Sequence, residues 1–187
     1  MYSTSDFKKG MAIMYEGQPY QIIDCQHHKP GKGASVVRLK LRNLLTGITV
    51  DPTLRSGEKV ARPDLEEKPG QYLYESEGSF HFMDPASFEQ YQVGQDVISD
   101  AKSFMMENME IKLLFFEGRV ISIELPNHVV LVITQCDPAV RGDTVSGATK
   151  PATVSTGFVC QVPLFVNEGD KIRIDTRTGL YIERAND

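Results

Sequence analysis

Val36-Val37-Arg38-Leu39-Lys40-Leu41-Arg42-Asn43, followed by Leu44-Leu45-Thr46-Gly47 and then Ile48–Leu54, settles how this chain folds. Arg38, Lys40 and Arg42 alternate with Leu39 and Leu41. A period of two belongs to a strand with one dry and one wet face. The break at Leu44–Gly47 and the renewed apolar run predict a hairpin. Upstream, Met11–Tyr15 and Tyr20–Cys25 flank Glu16-Gly17-Gln18-Pro19 and predict another. Further on come strands near Gln71–Glu75 and Ser79–Met83, and a hairpin of Ile111–Phe116 and Arg119–Glu124 over Glu117-Gly118. His128–Thr134, Val154–Val162, Lys171–Asp175 and Leu180–Arg184 complete the set, with turns at Asn167-Glu168-Gly169-Asp170 and Thr178-Gly179. One stretch, Asp84–Tyr91, predicts a helix, with Asp84 as N-cap and Pro85 at its first position. Short strands with turn punctuation define an all-β chain of small barrels.

Proline and acid cluster at Arg62-Pro63-Asp64-Leu65-Glu66-Glu67-Lys68-Pro69-Gly70, and Pro126 ends a hairpin just before the strand at His128. These breaks predict three β-barrel domains, 1–64, 65–126 and 127–187. The chain of 187 residues is 41% hydrophobic and 24% charged, the composition of a soluble globular protein. No run is long and apolar enough to span a bilayer, and Met1–Lys9 lacks the apolar core of a signal peptide. Cys25, Cys136 and Cys160 are odd in number and far apart, and the four histidines add no metal-ligand spacing. A cytoplasmic protein with no membrane, metal or cofactor is expected. GxSxG motifs, clustered carboxylates on a helix face and Cys–His pairs at a known spacing are all missing, so no enzyme is expected.

The net charge of −5 argues against a nucleic-acid partner until its distribution is read. Residues 1–63 hold 10 Lys+Arg against 5 Asp+Glu, residues 64–126 hold 4 against 13, and residues 127–187 hold 6 against 7. The basic end is the place to look for RNA. Cys25–Val50 contains no acid at all, yet holds Lys29, Lys32, Arg38, Lys40, Arg42, His27 and His28. Three cations on one strand face suit a row of phosphates. An exposed face also carries cations merely to stay soluble and discourage edge pairing, and the acid-free window tilts the choice toward RNA.

Between two predicted strands lies Lys29-Pro30-Gly31-Lys32-Gly33-Ala34-Ser35. Pro30 fixes its own φ, while Gly31 and Gly33 remove bulk and permit positive φ. A narrow hairpin tip with Lys32 at its apex is expected, open to close approach by RNA or a modifying enzyme. A Walker A loop is excluded, since Gln26 stands where its first glycine belongs and Gly33 follows the lysine. A plain turn with a solvated lysine is the bland alternative.

Lys29–Ser35 with Arg38–Gly47 resembles the first domain of the elongation factor P family of bacteria. Lys150-Pro151-Ala152-Thr153-Val154-Ser155-Thr156-Gly157, then Val162-Pro163-Leu164-Phe165-Val166 and Gly169-Asp170, is similar to that family's C-terminal signature. Cys160 departs from it where an aliphatic residue is expected; cysteine is small and apolar enough for a core strand. The likeness runs along nearly the whole chain, and order and spacing together make it specific.

The resemblance implies an SH3-like or KOW-like barrel followed by two OB-fold barrels, in an L-shaped, tRNA-like arrangement. It implies a monomeric translation factor that binds the 70S ribosome beside the peptidyl-tRNA and promotes peptide-bond formation, notably at consecutive prolines. Lys32 becomes the functional tip, modified on its amine by an enzyme of unknown type, within a loop formed by Pro30, Gly31 and Gly33. Lys29, Arg38, Lys40 and Arg42 stay as the RNA contacts expected from the charge pattern, and ribosomal RNA is the partner that fits them. Gly142, Asp143 and Thr144 approach the messenger codon in the exit site, and Tyr181 and Arg184 lie near the anticodon stem of the peptidyl-tRNA. Each has a plainer reading: Gly142–Thr144 a turn, Tyr181 a core aromatic, Arg184 a solvated end residue. A sugar-binding barrel is the rival from another class, weakened by dispersed aromatics and the absence of Trp. Initiation factor five A carries a similar lysine on two domains only, and the elongation-factor-P-like paralogue has a different tip.

Overall fold

The structure, a computed structural model, describes residues 1–29, 31, 33–138 and 147–185. The N-terminal strands are β1 (Tyr2–Ser3), β2 (Ala12–Tyr15), β3 (Gln18–His28), β4 (Val36–Asn43), β5 (Thr49–Val50), β6 (Thr53–Arg55) and β7 (Lys59–Val60). They form a sheet of order β2-β3-β4-β5, with β6 also pairing β4, and a short β1–β7 pair. The first predicted hairpin forms over Glu16-Gly17, whose φ values of 49° and 77° give the turn the handedness that matches strand twist. The second also forms, but its returning strand splits at Asp51-Pro52, because Pro52 has no N–H to give a ladder. Pro52 still accepts there, taking the Leu39 N–H at 2.9 Å. Phe7, Ile13, Tyr20, Ile22, Val37, Leu39, Leu41 and Leu54 pack as the core.

The middle strands are β8 (Leu65–Ser76), β9 (Ser79–Met83) and β10 (Gln90–Gly94), then a one-turn helix α1 (Gln95–Ile98) and a 3₁₀ segment Ser99–Phe104, then β11 (Glu110–Phe116) and β12 (Arg119–Glu124). Their order is β10-β9-β8-β11-β12. The helix expected at Asp84–Tyr91 does not form. Asp84 does cap a turn: Oδ1 accepts from the Ala86 and Ser87 N–H groups at 2.7 and 3.2 Å, and its carbonyl takes the Phe88 N–H at 2.8 Å. Phe88 then swings to a φ of 61°, and Gln90–Gly94 pair along β9 from Met83 to Ser79. A full strand of ladder bonds outweighs what one capped turn offers. Gly70 is forced by packing, since a Cβ there would stand 2.7 Å from Leu113 Cδ1.

The C-terminal strands are β13 (His128–Cys136), β14 (Thr149–Val154), β15 (Val159–Pro163), β16 (Lys171–Asp175) and β17 (Tyr181–Arg184), ordered β15-β14-β13-β16-β17. The single strand expected at Val154–Val162 is two. Gly157, at φ 85°, turns the chain, and the Val154 N–H donates to the Phe158 carbonyl at 2.9 Å. Eleven buried residues make this core, among them Leu131, Ile133, Val162, Ile172, Ile174 and Cys160. One comes from the preceding sheet's connection: Phe104, 6% exposed, sits 4.8 Å from Phe158, ring centre to ring centre. Beside it Thr156 Oγ1 donates to the Ser103 carbonyl at 2.6 Å. The molecule is all-β, three small barrels in sequence, and divides into two compact units: Met1–Glu67 with Leu114–Ser122, and Lys68–Leu113 with Ile123–Asp187. Among the described residues no helix is long and apolar enough to cross a membrane.

Candidate nucleic-acid interface

Along β4 the burial alternates strictly: Val37, Leu39, Leu41 and Asn43 are inside, Arg38, Lys40 and Arg42 outside. The three cations stand on one face at roughly 6.7 Å steps, twice the strand rise. Asn43 ends the inner row, and both its side-chain oxygen and its side-chain nitrogen are bonded. Its Oδ1 accepts from the Leu45 and Thr46 N–H groups at 2.8 and 3.0 Å, and its amide donates to Gln18 Oε1. That bonding holds the Leu44–Gly47 turn and fixes where β4 stops.

β6 widens the face. In register, Arg38 faces Thr53 and Val36 faces Arg55, so Arg55 shares the outer surface with the stripe. Arg55 is held by its backbone: its N–H donates to Glu58 Oε2 at 3.2 Å and its carbonyl accepts from Thr4 Oγ1 at 3.3 Å. Thr4 itself is buried and also accepts from the Gly57 N–H at 2.8 Å. The sequence reading missed Arg55, although Thr53-Leu54-Arg55 repeats the polar–apolar–cation pattern of β4.

The glycine loop begins and ends on this sheet. Its feet, His28 and Val36, are cross-strand partners, and the Ser56 N–H donates to the Ser35 carbonyl at 2.8 Å. Lys29 is exposed just beyond β3. Gly33 takes a φ of 129°, which side chains avoid. Gly31 is different: a Cβ there would meet no heavy atom within 4 Å, so packing inside the chain does not demand glycine. Lys32 and Pro30 lie outside the described residues, as do Gly142, Asp143 and Thr144.

Tyr181 and Arg184 belong to the other unit. Tyr181 packs half-buried against the C-terminal core, and burial pushes its hydroxyl's pKa up against the opposing Arg184 N–H. The Arg184 guanidinium is exposed, 3.8 Å from Asp170 Oδ2. The two residues are thus neighbours, one mainly core and one turned outward. Lys150 carries a role that the sequence reading did not see. It is 6% exposed, and its ammonium donates to the Asp137 carbonyl at 2.7 Å, tying β14 to the end of β13. The alternation Lys150, Ala152, Val154 could have revealed that inward position.

The cysteines are free thiols, and no group of three or more His, Cys, Asp or Glu side chains is placed to hold a metal among the described residues. Cys25 Sγ lies 3.7 Å from His27 Nε2, but burial raises the thiol's pKa, which disfavours the reactive thiolate. The geometry as a whole offers binding: a cationic sheet face next to the two feet of a glycine-containing loop.

Residues 3–60 match the Elongation factor P (EF-P) KOW-like domain, 65–123 the Elongation factor P (EF-P) OB domain, and 129–184 the Elongation factor P, C-terminal domain. Elongation factor P of Maridesulfovibrio salexigens is 52% identical over 184 residues, covering 98% of this chain and 99% of that one. The Natranaerobius thermophilus protein of that name is 50% identical over 185 residues, covering 99% and 98%. Among solved structures, the eukaryotic translation initiation factor 5A from Methanococcus jannaschii aligns with a TM-score of 0.55 at 20% identity, over 65% of this chain and 94% of that one. That likeness concerns the fold alone. With three consecutive domains matched and full-length relatives at half identity, the chain belongs to the elongation factor P family.

Proposed function

We propose that the chain is a translation elongation factor that binds the 70S ribosome beside the peptidyl-tRNA and promotes peptide-bond formation, notably where one proline succeeds another. Its functional domains are 1–64, 65–126 and 127–187. The observation that carries this reading is the outer face of the first sheet, where Arg55 stands opposite Val36 at the foot of the glycine loop and Arg38, Lys40 and Arg42 run along β4 away from it. Family membership supports it independently.

The factor is not an enzyme in this reading; it positions the reactants of another. Proline's ring locks φ and makes its nitrogen secondary, so it attacks the peptidyl ester poorly. Holding the peptidyl-tRNA ready to react lowers the entropic part of the barrier, an effect that reaches about 7–11 kcal/mol in model systems, of which the ribosome already supplies much. Lys32, modified on its amine by a dedicated enzyme, braces the acceptor end electrostatically, while Lys29 and the sheet cations hold RNA phosphates. Gly142, Asp143 and Thr144 meet the exit-site codon, and Tyr181 and Arg184 the anticodon stem. The protein works as a cytoplasmic monomer without a cofactor. Gly31 suits this role, because the space its side chain would fill is left open for RNA or for the modifying enzyme.

The test is Lys32→Ala in a reconstituted translation system reading a polyproline message. Loss of rescue with ribosome binding retained is the expected result. A variant that rescues as well as the parent refutes the role given to Lys32.

A further inference from the structure

β3 and β4 do not pair evenly. Gln21 faces Arg42 and Ile22 faces Leu41, but the next partners are Asp24 and Lys40, so Ile23 is an extra residue in a β-bulge. The bulge changes the parity of β3. In a regular ladder Ile23 would stand opposite Lys40; instead Asp24 turns to the cationic face, followed by Gln26 opposite Arg38. Bulges re-aim side chains in this way, and they concentrate next to functional sites. The result is an exposed carboxylate set into the proposed RNA surface, directly across from the middle cation of the stripe.

Asp24 is not consumed by its neighbours. Among the described residues its side chain accepts one hydrogen bond, from Gln26 Nε2 at 3.1 Å to Oδ2, and has no ion pair within 4.0 Å. A carboxylate is acceptor-only, with several lone-pair sites left to fill. It also repels phosphate, so a strand lying on this face must keep its phosphates over β4 and β6. The β3 row lies about 4.8 Å to the side, one strand spacing away. From a phosphate, the group one step toward the base is the ribose.

We propose that Asp24 is a specificity-determining residue that accepts a hydrogen bond from a ribose 2′-hydroxyl, with Gln26 holding its carboxylate, so that the first barrel selects RNA over DNA. The inference rests on the cationic face being an RNA surface. The 2′-hydroxyl is the donor that distinguishes the two polymers, and a protein tells them apart by touching it. The surface then divides its labour: β4 and β6 supply affinity through charge, and β3 supplies discrimination through one acceptor.

The test uses the full chain with labelled single-stranded oligouridylate and oligodeoxyuridylate, which share a base and differ at the 2′ position. The parent should bind the RNA about tenfold more tightly, the scale of one charge-assisted hydrogen bond. Asp24→Ala should lose that preference while its affinity for the DNA holds or rises, because an anion has left the surface. Asp24→Asn, which keeps an oxygen acceptor without the charge, should retain part of the preference. If Asp24→Ala keeps the parent's ratio, or the parent binds both polymers equally, the role of Asp24 is overturned while the cationic face stands. If the parent binds neither polymer, the RNA surface itself is refuted, and this inference with it.

Discussion

Neutralising the stripe, with Arg38, Lys40 and Arg42 all changed to Gln, tests the cationic face directly. The three side chains are exposed and share one side of β4, so the fold should survive. Surface changes of this kind usually move stability by no more than about 0.5 kcal/mol each. Each cation that neutralises a phosphate on a single strand adds about 0.7 to the slope of log affinity against log salt, so losing three should flatten that slope by about 2. Over a fourfold rise in salt, the parent should therefore lose about twentyfold more affinity than the variant. The assay is fluorescence anisotropy on a single-stranded RNA from about 50 to 200 mM monovalent salt, the range over which such slopes are read. A weaker variant with an unchanged slope would mean that the side chains do not touch phosphate, and the face would then be only a solubilising one.

Packing and charge set the remaining expectations. Phe104→Ala should cost about 3–5 kcal/mol in urea unfolding, because its ring is buried in a core that another segment builds; a loss below about 1 kcal/mol would show that the ring is not packed there. Gly70→Ala drives a Cβ into Leu113 and should cost about 1–3 kcal/mol, with part recovered when Leu113→Ala is added; strictly additive losses would refute the clash. Asp175 accepts from Arg177 Nε at 3.1 Å and from the Arg177 N–H at 2.8 Å, which holds its carboxyl down to about 2. A depressed carboxyl stabilises the fold above its unfolded value of about 3.9 and loses that contribution as pH falls toward about 2. Carbon-detected NMR titration should therefore find Arg177→Ala shifting the Asp175 midpoint upward; an unmoved midpoint would refute the pairing.

β4 was legible to the residue, because strict alternation over eight positions admits one reading. The hairpin over Glu117-Gly118 and strand β9 were equally plain. Asp84–Tyr91 misled for a physical reason: its cap is real, but the path of the chain after the capped turn is decided by pairing with β9, which the cap residues do not encode. The run Val154–Val162 hid a turn because Ser155, Thr156 and Gly157 interrupt an otherwise strand-like composition for too short a span. In the interface, the cations could be read and Asp24 could not. The periodicity of β3 alone contains no sign of the bulge, which is a property of two strands in register. Lys150 belongs to a recognisable motif, and its burial follows from the parity of β14 alone.

Phe104 ties the making of this protein to the order in which it is made. The C-terminal barrel is completed by a side chain encoded before its own first strand, so a fragment starting at residue 127 would lack one ring of its core and uncover Phe158. Chains emerge amino end first, and the missing piece is already outside the tunnel when the last strands appear. Synthesis thus delivers the plug ahead of the socket, and a recombinant excision of the tail would have to carry Phe104 along to be sound.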